Sequence, residues 1–112
     1  MNKELDIYTM VGRLSYADND GDDVTIKQCI RGVERLGVTW AELQLPCRER
    51  RIVDARRLCC LLLREKGWTF LRIAETVGYS NHATAIHHVN TATQLLEYDS
   101  GFRNKHLTFT QA

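Results

Sequence analysis

The chain of 112 residues holds a single proline, Pro46, and no apolar run near the roughly 18 residues that a membrane span requires, so no membrane partner is expected. The opening decapeptide, MNKELDIYTM, has one Lys, two acids and no apolar core, unlike a secretory leader, and a cytoplasmic location is expected. Cysteine is present but unpatterned. Cys29, Cys47, Cys59 and Cys60 form no C-x-x-C pair, which speaks against a zinc ribbon or a redox motif. They are expected to behave as small buried hydrophobes. Strand-like alternation of useful length is also missing, and the fold class expected is all-α.

Chemistry-bearing patterns are scarce as well. No G-x-x-x-x-G-K-[ST] phosphate loop is present, so no ATPase activity is expected. His82, His87 and His88 lie close together with His106 further on, but no H-E-x-x-H accompanies them. The acidic stretch Asp18-Asn19-Asp20-Gly21-Asp22-Asp23 lacks the Gly and Glu spacing of a calcium loop. No Ser-His-Asp order or paired carboxylates argue for catalysis. The chain is read as a non-enzyme without metal or cofactor.

What is present is asymmetric charge. Residues 1–47 carry five Lys/Arg against eight Asp/Glu, a net of −3, and residues 48–112 carry ten against six, a net of +4. Such asymmetry points to a polyanionic partner for the basic half. Five arginines, Arg48, Arg50, Arg51, Arg56 and Arg57, fall within ten residues. Cations at a helix start oppose its dipole, and an external anion would relieve that tension.

Helical signals run along most of the chain. Leu5, Ile7, Met10, Val11 and Leu14 suggest a first helix, followed by a polar loop over 15–23. Ile26, Cys29, Ile30, Val33 and Leu36 lie on one helical face, with Gly37 as C-cap. Thr39 and Glu42 have the spacing of a capping box. Pro46 marks a boundary. Ile52, Val53, Leu58, Cys59, Leu61, Leu62 and Leu63 belong to a long helix ending near Lys66-Gly67. Thr69 caps a short helix that stops at Gly78, and Ser80 or Asn81 caps a last long one. Its expected inner face is Ala85, Ile86, Val89, Ala92, Thr93 and Leu96, and residues 99–112 are expected to form an irregular tail.

Thr69 to Val89 therefore has a helix-turn-helix outline. In such units the start of the second helix enters the major groove. Ser80, Asn81, His82 and Thr84 gather at that start. Asn81 can donate to and accept from an adenine edge, or accept from a cytosine amino group. His82, Ala83 and the Thr84 methyl suit a thymine methyl group. The arginine cluster would lie on phosphates or in a minor groove.

The basic loop, the helix opening with Arg56-Arg57, and the segment IAETVGYSNHATAIHHV resemble, in order and spacing, the C-terminal DNA-binding domain of the DnaA family of bacterial replication initiators. The resemblance covers about residues 48–97. It implies thymine contacts by His82 and Ala83 and a phosphate contact by Arg57, with Thr84 at the signature's second Thr. It also implies a minor-groove element at Arg48, Arg50 and Arg51, with His87 at the signature's later histidine. Asn81 stands where the family has Asp, Ala83 where it has Thr and Ser80 where it has Arg, so the preferred site is expected to differ from the family's box.

The expected architecture is an all-α helix-turn-helix bundle at 48–98 like that domain, with an extra helical segment at 1–47. That segment is where a homodimer or protein partner would bind. The expected function is sequence-preferring binding of double-stranded DNA, in replication initiation or transcription regulation, without ATPase activity. The alternative is a protein-interaction module that keeps the scaffold and does not bind DNA.

Overall fold

The computed structural model describes residues 17–111, and side chains from residue 23 onward. The helix expected over Leu5 to Leu14 lies outside the described residues. Within them every regular element is helical: α1 (Ala17–Arg35), α2 (Trp40–Leu43), α3 (Arg50–Glu65), α4 (Phe70–Val77), α5 (His82–Tyr98) and α6 (Ser100–Phe109). No helix is long and apolar enough to cross a membrane among the described residues.

Local chemistry sets most of the boundaries. Thr39 accepts from the Glu42 N–H at 3.1 Å while Glu42 Oε1 accepts from the Thr39 N–H at 3.0 Å, which completes the capping box. Thr69 Oγ1 accepts from the Arg72 N–H at 3.2 Å and starts α4. Gly78, at φ of +101°, ends it in the left-handed conformation that a side chain would strain.

Two expectations are corrected. The polar loop over 15–23 is helical from Ala17, because α1 begins a full two turns earlier than the apolar pattern does. Acidic residues near a helix start are favoured by the dipole, and Asp23 pairs with Lys27 one turn on at 3.2 Å. The tail over 99–112 is not irregular, because Ser100–Phe109 forms α6. Asp99 Oδ1 caps it by accepting from the Phe102 N–H at 3.1 Å. Only Phe102 and Phe109 are buried on α6, two turns apart, and Leu107 between them is exposed, so the apolar residues trace no helical face.

α3 is the central helix. It buries Ile52, Ala55, Leu58, Cys59, Cys60, Leu61 and Leu63, and α1, α2, α4, α5 and α6 all pack on it. One hydrophobic core joins Cys29, Val33, Val38 and Leu43 to α3, to Ile73, Ala74 and Val77 of α4, and to Phe102 and Phe109. Cys29, Cys59 and Cys60 are free thiols buried in that core. Burial pushes the Cys60 thiol up to about 12 and the Cys59 thiol well above its usual range, so both stay protonated.

α6 closes the bundle against α1 through a missing side chain. A Cβ at Gly32 would lie 2.5 Å from the Phe109 ring, so only glycine lets the ring seat there. Arg35 then donates from Nη1 to the Phe109 carbonyl at 2.8 Å. A cavity of about 440 Å³ opens beside this contact, rimmed by Arg31, Arg35 and Lys66. These cations sit at or near the ends of α1 and α3, where they offset the dipoles' negative ends.

Candidate nucleic-acid interface

The link between α4 and α5 is four residues long, 78–81, and its geometry is tightly determined. Gly78 and Tyr79 both return their N–H groups to the Ala74 carbonyl, at 3.0 and 2.7 Å. Gln44 lies against Gly78 and donates from Nε2 to the Thr76 carbonyl at 2.9 Å. Asn81 caps α5 through Oδ1, which accepts from the Ala83 N–H at 2.8 Å. Of the two cap candidates read from the sequence, Asn81 is the one used.

This places Ser80, Asn81, His82 and Ala83 as four consecutive exposed residues, with Thr84 half-buried and His87 exposed one turn on. The first turn of α5 contains no acid. Behind it, Ala85, His88 and Ala92 are buried. The expected inner face is therefore rotated. Thr93 is exposed, with its hydroxyl donating to the Val89 carbonyl at 2.9 Å, and His88 takes an interior position. α5 is covered by both α3 and α4, and that double contact sets which side turns inward.

His88 Nε2 lies 2.7 Å from the Tyr79 hydroxyl, and its Nδ1 is buried without a partner among the described residues. Burial first, and then the charge of Arg57, depress the imidazole to about 4, so it is neutral at neutral pH. Tyr79 is half-buried, and burial raises its phenol above the usual value.

The five arginines separate into different roles. Arg56 is buried, and its guanidinium donates to the carbonyls of Leu43 at 2.7 Å, Cys47 at 2.6 Å and Leu45. It also lies 5.8 Å from the centre of the Tyr79 ring. The residue is thus a clamp that joins the segment 43–47 to the turn before α5, not a surface cation. Arg51 is tied down too, donating to the Gly37 carbonyl at 2.7 Å and pairing with Glu49 at 3.4 Å and Glu42 at 3.6 Å.

Arg48, Arg50 and Arg57 remain together. With Val53, Thr91 and Leu95 they line a groove of about 400 Å³ between α3 and α5. Arg48 is exposed and has no hydrogen bond or ion pair with a described residue. Arg50 and Arg57 both reach Asp54 at 3.0 Å, and Arg50 also reaches Asp99 at 3.4 Å. Asp54 is fully buried and receives Lys105 of α6 at 2.8 Å as well. Burial alone would raise this carboxyl, but Lys105 and Arg50 outweigh it and hold the group below its usual range. One carboxylate thus meets three cations, and α3 opens with no side-chain cap and no acid in its first turn. Arg48 and Arg50 stand at the positive end of the α3 dipole.

The sequence reading missed the parts that hold these groups in place, namely Arg56 as a clamp, Tyr79, His88, Asp54, Thr91 and Leu95. One signal was available for Arg56. Pro46 has no N–H and ends the helical pattern before it, so nearby carbonyls lose the helix's own donors and need others. No protein-family model, no curated protein and no solved structure matches this chain.

Proposed function

We propose that the chain binds double-stranded DNA with sequence preference. α4, the turn and α5 act as a helix-turn-helix like that of the DnaA DNA-binding domain, and the start of α5 enters the major groove. Arg48, Arg50 and Arg57 lie against phosphates or in the neighbouring minor groove. The observation that carries the reading is the run of exposed, non-acidic residues from Ser80 to Ala83, braced from behind by Tyr79 and His88. Small side chains on a rigid helix start suit close approach to base edges. The basic groove supplies the sequence-independent attraction that such a reader needs. The role that fits is a regulator of replication or transcription without ATPase activity. A partner or second copy would bind through residues 1–47.

One observation favours the alternative, a protein-interaction module. Arg51 is neutralised by Glu42 of the acidic half and by Glu49, and Arg50 by Asp54 and Asp99. Selection from a randomised duplex library, followed by salt titration on the enriched sequence, separates the two. Duplex binding predicts an enriched motif and affinity that falls with salt in proportion to the phosphates contacted. Absence of binding at about 50 mM salt, where phosphate contacts are favoured, would leave the interaction module standing.

A further inference from the structure

We infer that Asn81 is a specificity-determining residue that reads a hydrogen-bond acceptor in the major groove, guanine above all; the inference rests on the duplex binding proposed above. Asn81 is exposed at the tip of α5, yet half of its amide is already committed. Oδ1 accepts from the Ala83 N–H at 2.8 Å and faces the open end of the helix. Nδ2 has no partner among the described residues and is the part left to point outward. The residues beside it add no acidic acceptor, since Ser80, His82 and Ala83 are the exposed neighbours and the first turn of α5 holds no acid.

Base edges answer such a tip unequally. Guanine offers two acceptors in the major groove, O6 and N7, and nothing else. Adenine pairs its N7 acceptor with an amino donor, and the two-point Asn–adenine contact needs the amide oxygen. Forming it would turn Oδ1 away from Ala83 and break the cap. Cytosine presents only an amino donor, which meets the Asn81 amino group donor to donor. The adenine or cytosine contact expected from the residue type alone is therefore disfavoured by the cap, which fixes the orientation of the amide.

The test compares motifs selected from a randomised duplex library by the full chain, by Asn81→Asp and by Asn81→Ser. Both substitutions keep a good N-cap, and matching thermal unfolding confirms that they fold. For the wild-type chain, guanine at one position is expected, preferred at least about tenfold over cytosine, the size of one good base contact. Asn81→Asp keeps one oxygen on the cap and frees the other to accept, so the same position should change to cytosine. Asn81→Ser should flatten that position and leave the rest of the motif unchanged. A wild-type motif that both variants leave unaltered overturns the inference alone. So does one in which the altered position was adenine or cytosine in the wild type. A wild-type chain that enriches no motif overturns duplex reading itself, and this inference with it.

Discussion

The Tyr79 hydroxyl and His88 Nε2 lie 2.7 Å apart, joining the turn before α5 to the buried face of α5. Arg56 lies 5.8 Å from the centre of the Tyr79 ring and holds the carbonyls of residues 43, 45 and 47. The segment that leads to Arg48 and the helix capped by Asn81 are therefore set relative to each other through the half-buried Tyr79 and the buried Arg56.

The first prediction concerns acid. The His88 imidazole sits at about 4 in the folded chain against an ordinary 6.5, so between those values the unfolded chain binds a proton that the folded one refuses. Stability is complete above pH 6.5 and falls as pH drops towards 4. His88→Gln removes this titration. Denaturant unfolding of both proteins at pH 7 and pH 4 should show the wild type losing about 2 kcal/mol more than the variant over that interval. Equal losses would mean that His88 is not the group responsible.

Arg56→Met tests the clamp. Methionine fills much of the space but takes the guanidinium from three carbonyls; that of Leu45 keeps the Cys47 N–H at 2.7 Å, while those of Leu43 and Cys47 lose the donor that Arg56 supplies. The expected loss is about 3 kcal/mol, read as a lower urea midpoint with an unchanged slope. A loss below about 0.5 kcal/mol, the size of an ordinary surface change, would show that the segment 43–47 holds its place without Arg56.

At the α1–α6 contact, Gly32→Ala pushes a methyl group into the Phe109 ring and should destabilise the chain by about 1–3 kcal/mol. Phe109→Leu creates room at the cost of buried area. The double variant should therefore be more stable than the sum of the two single losses predicts, which a double-mutant cycle measures. Simple additivity would mean that the two residues do not meet.

Arg48 has no hydrogen bond or ion pair with a described residue, so Arg48→Ala should leave the unfolding midpoint unchanged. If Arg48 contacts a phosphate, the same substitution lowers duplex affinity across all sequences and makes the slope of log affinity against log salt shallower by about one. Anisotropy titrations at several salt concentrations read both. An unchanged slope would remove Arg48 from the interface.

Much of the architecture could be read in advance because it depends on neighbours in the chain. Thr39 with Glu42, Thr69, Gly78 and Asn81 act within three or four residues, and each delimits its helix as its residue type predicts. The apolar periods of α3 and α4 were equally clear. α6 was not, because two phenylalanines seven residues apart give no helical stripe until α1 and its Gly32 are there to receive Phe109.

The helical class of the described residues, most of their helix ends and the concentration of arginine around the start of α3 follow from propensity, capping and composition, which are local properties of the chain. Only the tertiary structure decided what each arginine does. Arg56 turns inward because the carbonyls of Leu43, Leu45 and Cys47 lie within its reach, Arg51 is held by Glu42 and Glu49, and Arg50 and Arg57 share Asp54 while Arg48 pairs with no described residue. Charge can be counted along a chain, but whether a charge is spent inside the molecule depends on which groups folding brings within about 4 Å of it, the range of an ion pair.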